Sequence, residues 1–194
     1  MPETFVYTQT GVADGDVFDQ AITITADGEA RSTPSVPAAK AGRLTTRTDA
    51  NTGTLTMDEG HGFTDAAKIS LFWPGGHRRN VVVGTVSGNS VPIDGGDGDD
   101  LPADETDITA MVPVERPFAA VGNNVKGLGI SCPQQGCVQI LSSAPAELVN
   151  YTGSAAWAYG SGVTNPLAGV TAATVKFSHA NATGPVTMKA YAAF

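Results

Sequence analysis

Basic residues are scarce in this chain, with 11 Lys and Arg against 19 Asp and Glu, and charged residues of both signs make up only 15% of it. Nucleic-acid affinity rests on several closely placed cations that release counterions from phosphates, and the longest basic run here is Arg78-Arg79. With a formal net charge of -8, a nucleic-acid partner is not expected. No apolar run approaches the ~18 residues that a membrane span requires, so no membrane partner is expected either. The Met-Pro-Glu-Thr start has neither a basic n-region nor an apolar h-region, which predicts no secretory leader and production in a cytoplasm. Histidine is limited to His61, His77 and His179, with no His-x-His or His-x3-His spacing for zinc. His61, between glycines, reads as a turn residue, and His77 beside Arg78 and Arg79 as a solvated hairpin tip. No Gly-x-Ser-x-Gly, phosphate-cradling glycine loop or Cys paired with a base occurs, so no catalytic residue is assigned and an enzyme is not expected. Aromatic residues are only 7%, too few to furnish the stacking platforms of a sugar-cleaving groove. Trp73 and Trp157 read as sheet-packing residues.

What the chain does have is a period of two. Residues 4–8, 21–25, 53–57, 68–73, 79–86, 107–114, 138–141, 174–178 and 186–191 alternate apolar and polar side chains, are rich in β-branched or aromatic residues, and are bounded by Gly, Pro, Asn or Asp. Twenty-three Gly and 12 Pro punctuate them at close intervals. The expected fold class is all-β: an antiparallel β-sandwich or jelly-roll-like domain with a small β-barrel or meander unit. Residues 35–41 and 144–149 could each make a helical turn or two, but neither carries a sustained i, i+3, i+4 stripe.

Three segments are expected. Residues 1–41 hold N-terminal strands and a linker, Ala26 to Ala41 reading as a polar surface loop, and its strands could pair with the C-terminal sheet. Residues 42–115 read as the barrel-like unit, with turns at Asp49 to Gly53, Pro74-Gly75-Gly76 and Ser87-Gly88-Asn89. Residues 116–194 read as the sandwich unit.

Two groups of residues could carry chemistry. Asp94, Asp97, Asp99, Asp100 and Asp104 lie on a glycine-rich loop, and oxygen ligands on a flexible loop suit Ca²⁺. Gly95-Gly96-Asp97-Gly98-Asp99-Asp100 resembles one turn of the calcium-binding nonapeptide repeat, although that family stacks many copies and Pro102 stands where a large apolar residue is expected. The plainer reading is a solvated acidic hairpin. Cys132 and Cys137 flank a Pro-Gln-Gln-Gly turn, so a disulfide across a hairpin is one reading and two reduced, half-buried thiols the other. Asn150-Tyr151-Thr152 and Asn181-Ala182-Thr183 match the glycosylation pattern by chance if no leader is present.

Low charge, Thr/Gly/Ala-rich strands and the segments Gly53-Thr54-Leu55-Thr56-Met57, Gly60-His61-Gly62-Phe63, Phe72-Trp73-Pro74-Gly75-Gly76 and Val91-Pro92-Ile93-Asp94-Gly95-Gly96 resemble structural proteins of tailed-bacteriophage virions. The resemblance covers roughly residues 42–115. It implies a non-enzymatic virion component, a head decoration, neck or tail protein made in the host cytoplasm, with copies of itself and other virion structural proteins as partners and no cofactor beyond a candidate Ca²⁺. Weakly charged strand edges with scattered lysines agree with assembly in many copies. A glycan- or receptor-binding sandwich is the alternative, distinguished by exposed aromatics in a groove.

Overall fold

A computed structural model of the chain describes residues 3–9, 20–26, 28–118, 125–132, 135–142, 147–153, 155–159, 165–170 and 172–194. All regular structure among them is β-strand: β1 (Glu3–Gln9), β2 (Gln20–Ala26), β3 (Glu29–Ser32), β4 (Ser35–Val36), β5 (Lys40–Arg47), β6 (Thr52–Met57), β7 (Lys68–Trp73), β8 (Gly76–Val83) and β9 (Ser90–Asp94). The chain continues through β10 (Thr106–Met111), β11 (Val114–Phe118), β12 (Gly127–Ser131), β13 (Gly136–Ser142), β14 (Glu147–Thr152), β15 (Ala155–Ala158), β16 (Ala173–His179), β17 (Val186–Thr187) and β18 (Lys189–Ala193). No helix among the described residues is long and apolar enough to cross a membrane. The chain divides into two compact units, Pro37–Pro113 with Ser178–Pro185, and Met1–Val36 with Val114–Phe177 and Val186–Phe194.

The first unit is a closed antiparallel barrel in the order β10-β5-β6-β9-β8-β7, with β10 pairing β7 to complete the ring. Alternation explains its interior. Leu55 and Met57 of β6, Ile69 and Leu71 of β7, Val91 and Ile93 of β9, and Ile108 and Ala110 of β10 all point into one buried cluster, because successive side chains of a strand face opposite ways. Two connections join strands that are not neighbours. The segment after β6 and the segment after β9 leave from opposite ends, since β6 and β9 run antiparallel. Each lowers one apolar side chain into the core, Phe63 from the first and Leu101 from the second, so both ends of the barrel are closed by packed side chains. The loop carrying Asp97 to Asp104 therefore spans one pole of the barrel; it is not the tip of a hairpin, because β9 and β10 do not pair. Lys40, where the chain enters, and Met111, where it leaves, lie at the other pole.

The second unit contains two four-stranded antiparallel sheets, β11-β16-β13-β14 and β15-β12-β18-β3, with the two-stranded pairs β1-β2 and β17-β4. β13 is buried along Gly136 to Ile140, the pattern of a central strand covered on both faces. β11 is an edge strand and carries Pro117, which has no N–H to give to a ladder and is tolerated only where no partner needs one. Across its paired side, Glu115 meets Lys176 at 2.6 Å, in register on β16. On the second sheet the guanidinium of Arg31 lies 4.9 Å from the ring centre of Tyr191, its partner across β3 and β18.

Ala26 to Ala41 is not a surface loop. Ala30, Ser32, Pro34 and Val36 are buried while Arg31, Thr33 and Ser35 are exposed, and β3 pairs with the C-terminal β18. The alternation is complete, but it is written in Ala, Ser and Pro, which contribute little apolar signal. Residues 35–41 form β4 and the start of β5 in place of a helical turn, and Glu147 to Val149 belong to β14; residues 144–146 lie outside the described residues. The barrel strands run from Lys40 to Met111, and Ser178–Pro185 returns to the barrel unit from the far end of the chain.

Candidate functional site

The pole of the barrel spanned by the acidic loop gathers most of the residues that sequence singles out, and its organiser is a buried arginine. β8 opposes β7 with a register shift, Ile69 facing Val81 but Leu71 facing Arg78, so that three residues of β8 span two of β7. Asn80 takes the extra residue in the left-handed region, at φ 56. A strand of strict period two would set Arg79 on the side of Val81 and Val83. The bulge reverses the phase and turns Arg78 inward, opposite Leu71, where it is only 5% exposed. The hairpin tip is accordingly less solvated than Gly75-Gly76 suggests: Arg78 is buried and His77 beside it is half-buried.

Its guanidinium is held by backbone of the acidic loop. Nη2 donates to the carbonyl oxygens of Gly95, at 3.0 Å, and Gly96, and to Oδ1 of Asn51 at 3.2 Å. No carboxylate of the loop forms an ion pair with it. The close approach requires glycine: a Cβ on residue 95 would stand 2.9 Å from Cζ and from Nε of Arg78. Sequence offers the loop's carboxylates as ligands for Ca²⁺; its backbone carbonyls at Gly95 and Gly96 face the chain's own guanidinium.

The carboxylates around it have structural partners. Asp94 Oδ1 accepts the N–H of Gly96 at 2.7 Å. Asp100 pairs with Nη2 of Arg47 at 2.9 Å, and Asp104 accepts the backbone N–H of Arg47. Glu105 and Asp107 bracket Arg43 at 3.0 and 2.9 Å, which raises the Arg43 pKa, chiefly through the hydrogen bond to Asp107. Asp49 accepts the N–H groups of Asn51 and Thr52, both at 2.7 Å, and those bonds hold its carboxyl below the usual range. Asp97 and Asp99 are exposed. Among the described residues, no group of three or more His, Cys, Asp or Glu comes together to hold a metal ion. Arg43 and Arg47 are not marked by sequence, since their carboxylate partners lie more than fifty residues away and only barrel closure joins them; Asp49 and Asn51 read from sequence only as part of a turn.

His77 stacks on Phe72, with ring centres 6.1 Å apart and planes 21° from parallel. Burial lowers its pKa, Arg79 adds to the effect, and Asp99 opposes it. The other two histidines build turns. Nδ1 of His61 accepts the N–H of Phe63 at 3.0 Å, which leaves its ring proton on Nε2, 3.1 Å from the Gly88 carbonyl it donates to. Nδ1 of His179 accepts the N–H of Asn181 at 3.1 Å in the same way. Asn181 in turn accepts from the N–H and hydroxyl of Thr183.

Neither Cys132 nor Cys137 is in a disulfide, and both are buried. The Cys132 thiol donates to the Gly153 carbonyl, and Cys137 Sγ lies 3.5 Å from Oδ1 of Asn150. Trp73 is half-buried against the barrel core; Trp157 belongs to β15, and its side chain lies outside the described structure. No family profile, curated protein or solved structure matches the chain.

Proposed function

We propose that the protein is a non-enzymatic structural component of a virion, a capsid decoration, head-tail or tail protein that assembles in many copies through its β-rich surfaces. The observation that carries this reading is the outer edge of β14. It ends its sheet, pairs only with β13 among the described strands, and has neither Lys nor Pro along Glu147 to Thr152. Soluble monomers usually guard the edge strand of a sheet with Lys or Pro, because the row of backbone groups along it is a template onto which another chain can add. The opposite edge of the same sheet carries Arg116 and Pro117.

The committed state of the polar side chains supports the same reading. His61, His179, Asp49, Asp94 and Arg78 each hold backbone in place. A glycan-binding groove would display aromatic faces, whereas every described aromatic side chain is buried or half-buried and the exposed large apolar residues are Val82 and Val112. The partners on this reading are copies of the chain and other virion proteins, with no nucleic acid and no membrane; the chain would be made in the host cytoplasm and end in the particle. Light scattering of the purified chain across a concentration series tests it, since a chain that stays monomeric and binds no other particle protein is not an assembly subunit.

A further inference from the structure

Cys132 follows the last residue of β12, and Cys137 is the second residue of β13. These strands are consecutive but belong to different sheets, β12 to β15-β12-β18-β3 and β13 to β11-β16-β13-β14. The chain therefore passes from one sheet to the other between Ser131 and Gly136. Both thiols converge on the end of β14. Cys137 is in register with Thr152, and the Cys132 thiol bonds the carbonyl of Gly153, the next residue along. Burial first, and then the charge of Cys137, push the Cys132 thiol up to about 12.

From this convergence we propose that Cys132 and Cys137 are an oxidative modification site, closing to an intramolecular disulfide that staples the two four-stranded sheets at the β12-β13 crossing. The oxidant is a low-molecular-weight disulfide such as glutathione disulfide. One protein thiolate attacks it and releases the first glutathione thiol. The second protein thiolate then displaces glutathione from the mixed disulfide. The two protein S–H bonds and the S–S bond of the oxidant are exchanged for one protein S–S bond and two glutathione S–H bonds, so the balance closes. A thiol pushed up by burial is mostly protonated at neutral pH, so closure is slow there and quickens about tenfold per pH unit while the thiolate fraction is small. The reduced form persists in a cytoplasm, and the staple closes after release into an oxidising medium. The loop closed is short, so the expected gain is modest, a rise in melting temperature of roughly 5 °C.

The test uses the full reduced chain, folded, incubated with glutathione disulfide at several pH values, then unfolded in acid and alkylated. The expected product has lost two hydrogens by intact mass, takes up no alkylating reagent, maps to a Cys132-Cys137 peptide, and melts higher than the reduced chain until a phosphine restores it. Cys132→Ser, whose hydroxyl can still donate to Gly153, should stop at a glutathione adduct on Cys137 or remain free. Persistent mixed disulfides on the native sequence, cysteines that alkylate fully after oxidation, or a disulfide that leaves the melting temperature unchanged would each overturn the proposal.

Discussion

Arg78 and Gly95 are in direct contact: Nη2 of the arginine donates to the glycine carbonyl at 3.0 Å, and the space a Cβ on Gly95 would need is filled by the guanidinium. Substituting Gly95→Ala should cost about 1–3 kcal/mol, since a pinned planar group cannot step aside. Gly88→Ala is the control. That site is open but sits at φ 59, so only backbone strain of about 1 kcal/mol is expected. Urea unfolding of the two variants compares them, and equal losses would mean that the contact at Gly95 carries no special weight.

Arg78→Lys keeps the charge but shortens and reshapes the group whose Nη2 reaches Gly95, Gly96 and Asn51, and whose planar body fills the space beside Gly95. A loss of about 1–3 kcal/mol is expected by the same measurement. A lysine tolerated without loss would show that charge alone, not the placement of Nη2, organises the loop.

Calcium should not raise the melting temperature more than magnesium does. Gly95 and Gly96 carbonyls are turned to Arg78, while Asp100 and Asp104 are engaged by Arg47. A calcium-specific rise, removed by changing Asp97 and Asp99 to Asn, would show that the loop leaves Arg78 for an ion.

His61→Ala should cost about 2 kcal/mol, because the N–H of Phe63 and the carbonyl of Gly88 both lose a partner. His61→Asn can still offer an acceptor to Phe63, so roughly half of that loss is expected. Thermal unfolding of both variants measures the difference; equal losses would show that the Nδ1 bond is not what fixes Phe63 over the barrel end.

Acidification should weaken the fold in two windows. The pKa of His77 is lowered from 6.5 on folding, so between the folded and ordinary values the unfolded chain binds more protons, and stability is lost as pH falls below 6.5. Asp49 is lowered from 3.8, and the stability it contributes above that value is lost as pH falls through its folded pKa. Stability measured from pH 7 to pH 5 should be flatter for His77→Gln than for the parent chain, and parallel curves would remove His77 from the account.

The strand pattern and the barrel were legible because β6, β7 and β9 alternate in strongly apolar residues such as Leu55, Ile69 and Val91. Where the alternation runs through Ala30, Ser32 and Pro34 it was equally regular but chemically faint. Arg78 was hidden by one bulge at Asn80, which shifts the phase of β8 by a residue. Gly and Asp on a loop suggest a cation, and nothing in residues 94–104 reveals that the guanidinium of Arg78 reaches the loop's carbonyls from β8. The closing of the barrel pole by Arg43 and Arg47 depends on pairings more than fifty residues apart, which composition and local periodicity do not encode.

The central claim, assembly through an unguarded strand edge, is tested most directly by the mass of the purified chain in solution. Multi-angle light scattering across a concentration series should give a mass that climbs above that of a single chain. Lysines placed on the exposed positions Asn150 and Thr152 of β14 should hold the mass at one chain without loss of β circular dichroism. A parent chain that remains a single chain at the highest concentration, or lysine variants that associate as readily as the parent, would contradict the account.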